Sequence, residues 1–333
     1  MLRSRFAARR GHGILFAIIV GALAIQLLLP GSAQAAPGRI KEFLVPTQDS
    51  HPGGVAMGAD GGVWFTELAT NAIGRLLAGA ITTFPLPQTG EPIAIVSGPD
   101  GALWFTEYSG NRIGRITTTG QITEFQVPLC QGCSDIGPWD IAVGPDSALW
   151  FTELDGGQIG RITTGGDISQ FPLPGSGFTP IGIASGPDGA LWFTDASGVG
   201  RITLDGTVTQ EWTGISSPSS ITTGPDGRLW FIESSQDLVG RLDPSTGQVK
   251  QFSIDLNCDG QDIASGAGAL WFTCYNLDEV GRVSTAGRVT RFQVPNHFGG
   301  TYPDTLEGIV AGVNHDMWFA EEAANRIGRI STA

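Results

Sequence analysis

With 49 glycines, nine tryptophans and 41% apolar side chains, this 333-residue chain can bury a large core, so disorder is excluded. Charged residues make up only 15%, with 19 basic against 32 acidic and a formal net charge of −13. Such a surface repels phosphate backbones, so no nucleic-acid partner is expected; a cation or basic ligand is the electrostatically easy guest.

At the N-terminus, Arg3, Arg5, Arg9 and Arg10 precede an apolar run from Ile14 to Leu29, followed by Pro30-Gly31-Ser32-Ala33-Gln34-Ala35. That order of basic, apolar and Ala-x-Ala segments reads as a secretory signal over residues 1–35, cleaved after Ala35. A retained membrane anchor is the alternative, because the run is slightly short for a span. Cleavage leaves 36–333 as the mature chain, with 15 basic against 32 acidic residues, no further segment able to cross a membrane, and a secreted or periplasmic address. A monomer is expected.

Ile40-Lys-Glu-Phe43-Leu-Val-Pro46 follows as a lone strand. A Trp-Phe pair then recurs at Trp64, Trp104, Trp150, Trp192, Trp230, Trp271 and Trp318. Ile or Val sits nine residues before each Trp (Val55, Ile95, Ile141, Ile183, Ile221, Ile309), except Ile263, which sits eight before. Gly-Arg follows about ten residues after, at Arg75, Arg115, Arg161, Arg201, Arg241, Arg282 and Arg329. In repeat two the reading is strand Ile93–Ser97, a Gly98-Pro99-Asp100-Gly101 turn, strand Ala102–Glu107, strand Arg112–Thr117, a Thr119-Gly120 turn and strand Gln121–Val127. Proline presets φ and glycine accepts positive φ, so Pro-Asp-Gly between apolar runs is a turn. Seven such units describe an all-β, seven-bladed propeller of four-stranded antiparallel blades. The last repeat stops at Ala333 without a fourth strand, and residues 40–46 match Ile122–Pro128. The N-terminal strand is therefore expected to complete the last blade and close the ring.

Four cysteines suit an oxidising compartment. Cys130 and Cys133 form a CxxC, and Cys258 and Cys274 lie sixteen apart; zinc needs four converging ligands, so two structural disulfides, 130–133 and 258–274, are expected.

The stretches Gly98–Glu107, Asn111–Thr117 and Thr123–Pro128 resemble the repeat signature of the streptogramin lyases, the virginiamycin B lyase family, and the resemblance runs over essentially the whole chain after the leader. It implies a seven-bladed propeller that opens a cyclic depsipeptide at its ester by elimination, with a divalent cation, normally Mg2+. It implies a base histidine two residues before the first-strand Ile of the last blade, an acidic residue two before that, a second histidine in the preceding blade, and a glutamate after the last Trp-Phe. Here those positions hold Glu307, Thr305, Gln261, and Glu322 or Glu321.

In a propeller, first-strand starts and second-strand ends emerge on one face around the channel. Six of the seven second-strand ends are acidic: Glu67, Glu107, Glu153, Asp195, Glu233 and Glu321, with Cys274 the exception. They are expected to attract a cation there, or, on the plainer reading, to bond the loops of their own blades. The seven Gly-Arg arginines read as structural, their stems covering the blade tryptophans. Function should break the repeat, and the longest irregular loop, 296–307, carries His297, Tyr302, Asp304 and Glu307. His51 sits two residues before the corresponding position of blade one, which adjoins blade seven in a closed ring. His51, His297, Glu307 and Glu322 are expected to converge, with Glu307 or His297 as base, His51, Glu321 and Glu322 as metal ligands, and Tyr302, Asp304 and Gln261 touching ligand. Trp139, in the irregular loop before blade three, is expected either to stack on a sugar or aromatic group or to pack beneath the Cys130–Cys133 loop. Two functions stay open: a metal-assisted lyase, or a non-catalytic propeller binding a small molecule, glycan or protein on its acidic face.

Overall fold

Each Gly-Pro-Asp-Gly turn does more than reverse the chain. In repeat two Gly101 takes φ +76°, and Asp100 Oδ1 accepts from the Trp104 indole N–H at 3.0 Å while Oδ2 accepts from Arg115 Nε at 2.7 Å. The turn thus satisfies the one polar atom of a fully buried tryptophan and anchors the arginine that lies over its ring. The same carboxylate–indole bond recurs at Asp60–Trp64, Asp146–Trp150, Asp188–Trp192 and Asp226–Trp230. Blade six, whose turn is one residue shorter, has no such aspartate, and Trp271 donates to the Gly266 carbonyl instead.

The computed structural model describes residues 38–332 except 176, 197, 255–256 and 299–302; the leader expected over 1–35 lies outside them. Seven four-stranded antiparallel sheets form the molecule, each meandering from an inner first strand to an outer fourth. Blade two comprises Pro92–Ser97, Leu103–Glu107, Arg112–Ile116 and Ile122–Gln126. First strands of neighbouring blades pack against each other all round, blade seven on blade one included. Second strands are buried at every residue in six blades, and their Trp and Phe side chains fill the clefts between blades. Each Trp stacks on an aromatic of its own fourth strand, such as Trp104 on Phe125 with centroids 5.6 Å apart.

Ring closure follows the sequence expectation. Ile40–Leu44 pairs antiparallel with Arg326–Ile330, from Ile40↔Ile330 to Leu44↔Arg326. Phe43 stacks on Trp318 at 5.7 Å, so residues 275 positions apart complete the same motif that a single repeat supplies elsewhere. Asn325 Oδ1 also accepts from the backbone N–H and the hydroxyl of Ser50, tying blade seven to the lead-in of blade one. Both disulfides, Cys130–Cys133 and Cys258–Cys274, are formed.

Candidate functional site

Six of the seven first strands carry a bulge one turn from their start, for example between Pro52 and Val55 and between Leu306 and Ile309. The two residues inside each bulge leave the ladder and face the axis. In blade four the ladder begins only at Ile183, and Ile181 and Gly182 take the same place. One or two residues from every blade thereby line an axial cavity of about 210 Å³, among them Trp139, Asp140, Gln261, Asp262 and Glu307. Seven strands meeting so closely need small residues. A Cβ on Gly308 would stand 2.8 Å from the Gly53 carbonyl and 3.0 Å from Gly54 Cα.

In the bulged blades that carry it, the threonine of the Trp-Phe-Thr motif fixes the bulge. Thr273 Oγ1 accepts from Asp262 N at 3.2 Å and donates to the Glu307 carbonyl at 2.6 Å, so one hydroxyl sets the position of two axial residues in adjacent blades. Thr66, Thr106 and Thr152 make the equivalent pair of bonds.

The acidic second-strand ends do not reach the axis. They are almost wholly buried inside the blades. Glu153 accepts from Gln158 and Gln170, Glu233 from Gln251 and Ser216 N, Glu107 from Arg112, Glu67 from Thr70 and Thr83, and Asp195 from Thr179 N. For these five the plainer reading holds: they bond third- and fourth-strand side chains and loop groups of their own blade, whereas Glu321 has no such donor among the described residues. The Gly-Arg arginines likewise lie over the blade tryptophans, six of them with the guanidinium carbon 5.3 to 5.9 Å from the ring centroid.

Beside the axial cavity, a second cleft of about 240 Å³ is lined by His51, Gln261, Glu307, Glu322, Trp139 and Leu68, among others. His51 takes φ +51°, and its Nδ1 lies 3.0 Å from Glu322 Oε1. Thr305, at φ +50° and so strained for a β-branched residue, donates its hydroxyl to Glu322 Oε2 at 3.3 Å. No hydrogen bond from a described residue reaches the Glu307 carboxyl. Burial pushes that group up to about 8, and the carboxylates of Glu322, Asp262 and Asp259 push the same way. Trp139 forms one wall, edge-on to Tyr108 with centroids 5.6 Å apart.

Two axial carboxylates were passed over in the sequence. Asp140 accepts from Ile183 N and Asp262 from Ile309 N, each reaching the next blade. Burial raises both, Asp140 to about 7. Their signal was available: other blades place Gly, Ala or Ser at this step (Gly54, Ala94, Gly182, Ser220, Gly308).

The structure thus brings His51, Glu322, Glu307, Gln261 and Trp139 together and sets three other residues apart. His297 turns its Nδ1 to Asp304, at 2.8 Å, and its Nε2 to Glu42 on the N-terminal strand, at 3.4 Å. Asp304 is fully buried, held by this contact and by the His297 backbone N–H. Glu321 points into the interior of blade seven, so Glu322 is the glutamate after Trp-Phe that faces the cleft. Tyr302 lies outside the described residues.

Donors in the cleft are oxygen-rich: two carboxylates and the Gln261 amide, with one imidazole at the rim. The Glu322 carboxylate and the Gln261 amide oxygen, beside further acidic groups, suit a hard divalent cation such as Mg2+.

The profile of the Virginiamycin B lyase family matches residues 33–132 and 211–333. Among solved structures, the chain resembles virginiamycin B lyase from Staphylococcus aureus, at 34% identity and a TM-score of 0.81 over 89% of this chain and 99% of that one. A catalytically inactive histidine-to-alanine variant of that enzyme with quinupristin matches at 35% identity and 0.81, over the same shares. A streptogramin B lyase matches at 31% and 0.80, over 89% and 98%. No curated protein matches.

Proposed function

Because the chain belongs to the virginiamycin B lyase family, we propose that it is a carbon–oxygen lyase that opens an ester by elimination, with Glu307 as the base. The observation that carries this reading is the Glu307 carboxyl, raised to about 8 at the position to which the family resemblance assigns the base. A carboxylate of that basicity is matched to proton transfer near neutral pH, where an ordinary glutamate is too weak. In the step proposed, Glu307 takes the proton from the carbon α to a carbonyl. The released pair forms a double bond to the β carbon, the β carbon–oxygen bond breaks, and the freed carboxylate departs with its electrons. No water is consumed, so the ring opens without change of mass.

The other residues have positioning roles. Glu322, held by His51 and Thr305, would bind Mg2+ together with Gln261, leaving the Glu307 carboxylate free to take the proton. When bound, the cation supplies charge stabilisation for the developing enolate oxygen. With His51 Nδ1 engaged, Nε2 is the ring nitrogen left to meet substrate. Trp139 offers a face for a planar or apolar side group. Export fits the reading: the N-terminal sequence is leader-like, the chain forms two disulfides, and among the described residues no helix is long and apolar enough to cross a membrane.

Incubating residues 36–333 with a cyclic streptogramin B and Mg2+ tests the proposal. A linear product of unchanged mass carrying a dehydro residue supports it. A product heavier by one water means hydrolysis, and an intact ring after prolonged incubation means a binding propeller without chemistry. The replacement of the second expected imidazole by Gln261 favours that last alternative.

A further inference from the structure

Blade seven holds a second cluster, separate from the cleft. Ligand atoms of Glu42, His297 and Glu321 all lie within 4.8 Å of one another. Glu321 is fully buried, and neither of its carboxylate oxygens accepts from an N–H or hydroxyl among the described residues. Burial, together with the Glu42 carboxyl beside it, pushes its pKa up to about 9, and Glu42 Oε1 is likewise without a donor. A buried carboxylate left without any donor carries a heavy desolvation cost unless something binds it.

Blade two shows what these positions do when an arginine completes them. Glu107, Arg112 and Glu124 there correspond to Glu321, Arg326 and Glu42. Arg112 bonds Glu107 at 2.7 Å and approaches Glu124 at 3.7 Å, so each acid has one oxygen facing a cation and one, Oε1, without a partner. In blade seven no ion pair within 4 Å joins Arg326 to Glu321 or Glu42 and Arg326 Nε is unpartnered, although the guanidinium charge still acts on Glu321 from a distance. His297 is brought in instead, from the loop that breaks the repeat, with Nε2 3.4 Å from Glu42 Oε2. Its other nitrogen meets the buried Asp304 at 2.8 Å. His297 thus stands between two carboxylates; in metal sites the same buried acid behind an imidazole fixes its tautomer and turns the other nitrogen to the ion.

We propose that Glu42, His297 and Glu321 bind one divalent transition-metal ion of the zinc or manganese class, with Asp304 orienting His297. One imidazole and two carboxylates suit such an ion better than Mg2+, which favours all-oxygen sites. Neighbouring ligand atoms around tetrahedral zinc stand about 3.3 Å apart, close to the Nε2–Oε2 separation here. Since Glu42 comes from the N-terminal strand and the other two from the last blade, the ion would also clasp the ring closed.

Tag-free protein stripped with chelator and titrated with Zn2+, then with Co2+ for its visible spectrum, tests the site. With excess Mg2+ present to occupy the cleft, one tightly bound Zn2+ per chain is expected, its affinity reduced at least about tenfold in Glu321→Gln and in His297→Ala. Asp304→Asn should weaken binding and alter the Co2+ spectrum without abolishing it. Glu42→Gln, at a less buried ligand, serves if Glu321→Gln fails to fold. Absence of binding to the wild type overturns the proposal, as does wild-type affinity in these ligand variants or a loss confined to Glu322→Gln.

Discussion

At Glu307, stability and chemistry pull in opposite directions. Its carboxyl is raised to about 8 by burial, with Glu322, Asp262 and Asp259 adding to the shift. A folded-state value above the unfolded one means the native protein holds the proton more tightly. The contribution to stability is therefore full below about pH 4.5 and is lost as pH rises through about 8. Replacing Glu307 by Gln keeps the shape and removes the charge. Chemical denaturation at pH 8.5 should find Glu307→Gln more stable than the wild type by on the order of 1–3 kcal/mol, with the gain vanishing at pH 4. The same substitution should cost at least about a hundredfold in ring-opening rate, the usual weight of a general base. At His51, Gly would relieve the positive φ but release Glu322; we expect unchanged thermal stability and weaker Mg2+ binding by calorimetry.

Individual strands were readable because their signals are local. Trp-Phe spacing, Pro-Asp-Gly turns and Gly-Arg pairs each reflect one bond pattern inside a single blade, such as Asp100 gripping both Trp104 and Arg115. What lines the axis was harder to read. The bulge in six of the first strands moves pairs such as Gln261 and Asp262 inward, while Glu107 and Glu153 turn into their own blades. A bulge of this kind leaves no mark on hydrophobic alternation, so the sequence left open whether the acidic strand ends face the channel or bond their own blades. His297 illustrates a different limit: its partner Glu42 lies 255 residues away, on a strand that reaches blade seven only through ring closure. At this scale Thr273 is the informative residue. Thr273→Val preserves volume but orphans Asp262 N and the Glu307 carbonyl, and urea melts should show a loss of about 1–3 kcal/mol.

For the whole ring, closure depends on one short segment. Phe43 stacks on Trp318 and packs against the blade-seven and blade-one cluster. Phe43→Ala should cost about 3–5 kcal/mol, visible as a lower melting temperature, and removing residues 38–46 should leave an edge strand that drives association in light scattering. The ring in turn supplies the site, since its cleft draws Trp139 from blade three, Gln261 from blade six, Glu307 and Glu322 from blade seven and His51 from blade one. Central to this account is that the cleft does proton-transfer chemistry through Glu307. The most direct measurement compares wild type and Glu307→Gln for opening of a cyclic streptogramin B with Mg2+ between pH 6 and 9. We predict a wild-type rate that climbs with pH as Glu307 ionises and a nearly inactive variant; a variant as fast as the wild type would contradict the account.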